Sequence, residues 1–128
     1  ALTAFLDGAP GKLTTLYRRD REMVLRVRDL LRAALPAALS LDDVADRLHL
    51  SPRTVHRRLE EEGSSFRAIK DALRRDMALA RLAKSSDSVS QVASDLGYAD
   101  TSAFYRAFVE WTGMAPAHYR RRLSIEQR

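Results

Sequence analysis

The chain has 128 residues, 45% of them hydrophobic, enough for one modest domain or two very small ones with a real core and too apolar for a disordered segment. Lysine and arginine number 22 against 17 for aspartate and glutamate, and this net charge of +5 makes nucleic acid or another acidic surface a natural partner. The lack of cysteine excludes disulfides and thiolate metal sites. No apolar run reaches the roughly 20 residues needed to cross a bilayer, and no signal peptide is visible, so the expectation is a soluble, cytoplasmic protein or fragment.

Residues 1–20, ALTAFLDGAPGKLTTLYRRD, are broken by Gly8, Pro10 and Gly11 and read as a linker, the tail of a domain not contained in this chain. Gly11-Lys12 invites a phosphate-loop reading, but that motif needs Gly where Leu6 stands and Ser or Thr where Leu13 stands. From residue 21 to 35, Met23, Val27, Leu30, Leu31 and Ala34 recur at helical spacing, and Pro36 ends the run. This predicts a first core helix.

Two short helices come next. SLDDVADRLHL (40–50) offers Ser40 as a cap and Leu41, Val44, Ala45 and Leu48 on one stripe. SPRTVHRRLEE (51–61) begins with Ser51 as a cap and Pro52 at the first helical position, where its missing N–H does no harm. Val55 and Leu59 face a core, which leaves Arg53, His56, Arg57 and Glu60 recurring on another face. Two short amphipathic helices, a tight turn and an outward basic face describe a helix-turn-helix whose second helix is built for a DNA major groove.

A longer helix, capped by Ser64 or Ser65, is predicted through about Lys84, with Phe66, Ile69, Leu73, Met77 and Ala80 or Leu82 inward. Its roughly 20 residues at about 1.5 Å each span on the order of 30 Å, close to the roughly 34 Å of one DNA turn. Serines and an aspartate at 85–88 stop it, and the short helical pair then repeats. Val89, Val92, Ala93 and Leu96 take the places of Leu41, Val44, Ala45 and Leu48, while Phe104, Arg106 and Phe108 take those of Val55, Arg57 and Leu59, with one residue of slippage in the turn. Ala45 and Ala93 mark a close helix approach, and Gly97 and His49 mark a left-handed turn residue. Asp100 or Thr101 caps the last short helix, on which Ser102, Tyr105, Arg106 and Val109 share the outward face.

Several charged residues keep two readings. Arg58, Lys70, Arg74 and Arg75 suit either phosphate contacts or surface pairs with Asp71 and Asp76, and Arg74 also suits a structural role. Arg120, Arg121 and Arg122 suit phosphate or a solvated helix end. Phe104, Phe108 and Trp111 lie at core spacing and are read as packing residues. His49, His56 and His118 are scattered without ligand spacing, so neither a metal nor any other cofactor is expected. No nucleophile with a base and no carboxylate cluster is visible, so the chain is not expected to be an enzyme.

Arg74, Ala78, Leu82 and the run Ser88-Val89-Ser90-Gln91-Val92-Ala93, followed by Gly97-Tyr98, Phe104-Tyr105-Arg106-Ala107-Phe108 and Gly113-Met114-Ala115-Pro116-Ala117-His118-Tyr119-Arg120, carry a specific resemblance. Over residues 21–122 the chain resembles the DNA-binding domain of the arabinose-operon regulator (AraC/XylS) family. The resemblance implies an all-α fold of about seven helices, two homeodomain-like helix-turn-helix units joined by a long central helix. The units would comprise residues 21–84, connecting helix included, and 85–123, with 124–128 as a tail. It implies a bacterial transcription regulator that places two recognition helices in successive major grooves of double-stranded DNA. Base edges would be read by Arg53, His56 and Arg57 in the first unit and by Thr101, Ser102 and Arg106 in the second. Backbone contacts are expected from Ser51, Arg58, Lys70, Arg75, Tyr105 and Arg120. A sensing or dimerising N-terminal domain and RNA polymerase are the further partners it implies. The alternative is the DNA-targeting module of a recombination or repair enzyme.

Overall fold

Short polar side chains placed one residue ahead of an amphipathic run start most of the helices. Ser40, Ser51, Ser65 and Ser88 each accept a hydrogen bond from the amide three residues on at 3.1 Å, and the Asp100 carboxylate does the same from Ala103 at 2.7 Å. Ser40 also donates its own amide to Asp43, which closes a capping box. That amide, together with the Ser40 hydroxyl, holds the Asp43 carboxyl below the usual carboxylate range.

The structure, a computed structural model, describes residues 21–126, so the linker and phosphate-loop readings of residues 1–20 fall outside the described residues. Among the described residues there are seven helices and no strand: α1 (Glu22–Ala34), α2 (Leu41–Arg47), α3 (Pro52–Glu61), α4 (Phe66–Lys84), α5 (Val89–Asp95), α6 (Thr101–Thr112) and α7 (Pro116–Glu126). Residues 124–126, expected in a tail, instead complete α7. The described chain forms two compact units, residues 21–31 with Leu39–Ile69, and Arg32–Ala38 with residues 70–126. α4 is one unbroken helix that begins in the first unit and continues in the second.

In the first unit Met23, Val24, Val27 and Leu31 of α1 are buried, as are Leu39, Val44, Ala45, Val55, Leu59 and Ile69. The second unit closes around Ala78, Leu82, Val92, Ala93, Leu96, Phe104 and Phe108, with Tyr98, Trp111 and Tyr119 packed against them. These aromatic rings meet edge-on or tilted, with Phe108 at 5.4 Å from Tyr119 and 6.2 Å from Trp111, and Phe104 at 5.4 Å from Tyr98. Of the two alternatives at the end of the α4 stripe, Leu82 is the buried one and Ala80 is exposed, and Ala78 joins the stripe as a fully buried alanine.

The internal repeat extends to the backbone hydrogen bonds of the turns. After α2, Leu50 N–H donates to Ala45 O (2.9 Å) and His49 N–H to Asp46 O (3.1 Å); after α5, Tyr98 N–H donates to Ala93 O (3.1 Å) and Gly97 N–H to Ser94 O (3.0 Å). Both turns are Schellman motifs, which require a left-handed residue just past the helix end. His49 (φ 57°) and Gly97 (φ 87°) fill that place. The turn before α6 holds one residue more than the turn before α3, the slippage seen in the repeat.

Ala45 and Ala93 are each 1% exposed, within the buried sets of their own units. Leucine at either position adds three carbons to a filled space. Ala45→Leu and Ala93→Leu are each expected to lower stability by about 1 to 3 kcal/mol through overpacking, read as a fall in the thermal midpoint; an unchanged midpoint would place the close helix approach elsewhere.

Candidate nucleic-acid interface

The sequence of α3 divides into an anchor and an exposed face. Val55 and Leu59, both fully buried, fix the helix, while Arg53, His56, Arg57 and Arg58 are exposed. Among the described residues, none of these three arginines is held by an ion pair or a hydrogen bond, so their guanidinium donors are uncommitted. His56 Nε2 lies 3.5 Å from Glu60 Oε1, and both side chains are more than half exposed, so the pair contributes little and leaves the imidazole accessible. Ser51 is exposed, but its hydroxyl is engaged at the helix start, accepting from the Thr54 amide and donating to Thr54 Oγ1 at 2.8 Å.

The far end of α3 is held by a contact that local sequence patterns do not reveal. Glu62, the residue just past α3, accepts from the backbone amides of Met23 and Val24, both at 2.9 Å, through its two carboxylate oxygens. These are orphan donors of the first turn of α1, where the helix dipole also favours negative charge. One carboxylate therefore caps α1 and ties the recognition helix to it. Glu62→Ala is expected to cost about 1 to 3 kcal/mol, because two buried-side amides lose a charged acceptor; Glu62→Gln, with a single acceptor oxygen, should fall between. Urea melts check this, and equal stability of all three proteins would remove Glu62 from the scaffold.

In the second unit α6 turns Phe104 and Phe108 inward, both fully buried, and exposes Thr101, Ser102, Tyr105 and Arg106, which line a shallow open hollow. The Thr101 hydroxyl meets the Ser90 hydroxyl of α5 at 3.2 Å, joining the two helices at the rim of that hollow. Val109, one turn on from Tyr105, is also exposed.

The remaining residues proposed for the DNA backbone are placed unequally. Arg58 is exposed and open to a partner; Lys70 is half-buried, and its ammonium pKa is pushed down, first by that burial and then by Arg74. Arg75 is exposed with Nε 3.3 Å from Asp76, a surface pair that a phosphate could displace. Arg120 departs from expectation. Its Nε donates to the Leu82 carbonyl at 3.1 Å and its Nη2 is buried, so it satisfies a carbonyl in the last turn of α4 instead of facing outward. Arg74 proves structural: its guanidinium lies 4.4 Å over the Tyr98 ring, with Nη2 at 3.5 Å from Gly97 O, at the outer limit of a hydrogen bond. Arg81, unremarked in the sequence reading, bridges Asp87 (2.7 Å) and Asp95 (2.9 Å), fastening α5 to α4. Its guanidinium, with the Gln91 amide, keeps the Asp95 carboxyl below the usual range. Among the described residues no cluster of histidine, aspartate and glutamate gathers as a metal site would.

A family profile described as a helix-turn-helix domain matches residues 44–122, from within α2 through α6 and into α7. The chain belongs to the AraC-type helix-turn-helix family. The ornithine utilization regulator of Pseudomonas aeruginosa is 36% identical over 120 residues, 94% of this chain and 32% of that protein. An uncharacterised HTH-type transcriptional regulator of Mycobacterium tuberculosis is 46% identical over 80 residues, 62% of this chain and 23% of its own length. The chain thus spans about a quarter to a third of the length of these curated relatives. Among solved structures, a DNA-binding transcriptional dual regulator of Escherichia coli K-12 aligns with a TM-score of 0.76 at 28% identity, covering 83% of this chain and 94% of that one. The DNA-binding domain of AdpA, a global transcriptional factor solved in complex with a target DNA, aligns with a TM-score of 0.71 at 26% identity, over 80% of this chain and 94% of that one. In this AraC-type domain α3 and α6 occupy the recognition-helix places of the two units.

Proposed function

We propose that this domain is the sequence-specific, double-stranded-DNA-binding part of a bacterial transcription regulator and carries out no chemistry of its own. The observation that carries the reading is the exposed row of Arg53, His56 and Arg57, its two arginines held by no described partner, on a helix whose opposite side is locked by Val55 and Leu59. In the proposal α3 and α6 enter successive major grooves of one duplex. Arg53, His56 and Arg57 address base edges in one groove, and Thr101, Ser102 and Arg106 address those in the other, because such side chains supply the donors and acceptors that the major groove can match. Ser51, Arg58, Lys70, Arg75 and Tyr105 are assigned to phosphates, which set the register without reading sequence.

For the whole protein the proposal adds a sensing or dimerising domain and RNA polymerase as partners, and a cytoplasmic place beside the chromosome. The greater length of the curated relatives supports the first of these. No described helix is long and apolar enough to cross a membrane, which is compatible with the last. Salt-titrated binding tests the reading. Arg58, Lys70 and Arg75 as phosphate contacts require log affinity to fall against log salt with a slope of about −3 or steeper. A flat salt response, or no affinity for any duplex, would overturn it.

A further inference from the structure

The two recognition helices differ in their chemistry. α3 presents three arginines, Arg53, Arg57 and Arg58, with His56 outward and Glu60 and Glu61 at its far end, whereas α6 carries a single arginine, Arg106, balanced by Glu110. α6 compensates with apolar surface. Tyr105 is 48% exposed and Val109 37% exposed, two of the four large hydrophobic residues left exposed in the described chain. They are four residues apart and flank Arg106, on the same outward stripe as Ser102. The inner side of the helix has no shortage of apolar groups, since Phe104 and Phe108 are fully buried and Trp111 packs against them. Tyr105 and Val109 are therefore surplus to the core; Tyr105 lines the hollow with Thr101, Ser102 and Arg106, and Val109 stands one helical turn on from Tyr105.

We propose that the second recognition helix reads thymine, with Val109 and the ring of Tyr105 packing on thymine C5 methyl groups beside the base pair addressed by Arg106. This rests on the DNA-binding reading and names the chemistry of the second half of its target. In the major groove the C5 methyl is the apolar group by which a base edge can be recognised, and thymine carries it. Arg106 supplies hydrogen-bond donors, while Val109 has nothing to offer a base except contact. The Tyr105 hydroxyl can still reach a phosphate while the flank of its ring covers a methyl group. Of the two recognition helices, α3 then carries more of the cationic contact, and α6 contributes discrimination that salt barely weakens.

The experiment removes the methyl group alone. A duplex selected from a random pool by this 128-residue chain is resynthesised with each thymine in turn replaced by uracil. At one or two positions next to the base pair whose preference changes in Arg106→Ala, affinity should fall about fourfold per methyl lost. In Val109→Ala and Tyr105→Ala the thymine-to-uracil affinity ratio at those positions should approach one, with melting temperatures unchanged because both side chains are exposed. If uracil is tolerated throughout the second element, or if both variants keep the wild-type ratio, thymine reading is wrong while DNA binding stands. If no duplex is enriched at all, the DNA-binding reading fails and this inference falls with it.

Discussion

Gly97→Ala is expected to destabilise the second unit by roughly 2 to 4 kcal/mol, a large effect for one methyl group. Two causes add. The backbone at Gly97 has φ 87°, in the left-handed region where a side chain costs about 1 to 2 kcal/mol. An added Cβ would also lie 2.8 Å from the carbonyl oxygen of Pro36 and 3.4 Å from Arg74 Nη2. The arginine can swing aside, but the carbonyl belongs to the backbone and cannot do so cheaply. Because Gly97 closes the turn between α5 and α6, DNA affinity should fall with stability. The first unit provides an internal control, since His49 holds the equivalent left-handed place at φ 57°. His49→Gly should leave stability unchanged or raise it by up to about 1 kcal/mol. Thermal melts of both variants check the pair, and a Gly97→Ala protein with the wild-type midpoint would mean that the turn can relax away from Pro36.

That asymmetry shows where the sequence was legible and where it was not. Helix starts were readable because a cap is a local event: Ser40, Ser51 and Ser65 stand immediately before their helices and bond three residues on. The exposed face of α3 was readable for the same reason, as burial of Val55 and Leu59 leaves only one side for Arg53, His56 and Arg57. Glu62 was not readable. It is one of three consecutive glutamates, and its partners Met23 and Val24 are 39 and 38 residues away, beyond any periodicity. The same holds for Arg120, one of three consecutive arginines, whose neighbour Leu82 is 38 residues away. Composition marks such runs as solvated charge, and only the tertiary fold selects the member that turns inward.

Arg53→Ala and Arg57→Ala should each weaken binding to the preferred duplex by about 1 to 3 kcal/mol, five- to more than a hundredfold, and relax the preference at one base pair. Both side chains are exposed and carry no described partner, so the fold should be untouched and melting temperatures should stay at the wild-type value. The loss is expected on the preferred site and not on random duplex, because a bidentate contact to guanine reads the base rather than the charge of the strand. Equal losses on both duplexes would reassign these arginines to phosphate. Arg58→Ala is the counterpart: it should weaken both duplexes alike and reduce the salt slope by about 1.

The most direct test of a two-unit reader is base-resolved footprinting of the chain on its selected duplex, repeated with Arg57→Ala and Arg106→Ala. Two protected major-groove elements are expected, with Arg57→Ala relaxing sequence preference in one and Arg106→Ala in the other. A single protected element, or two variants that alter the same base pair, would contradict the account.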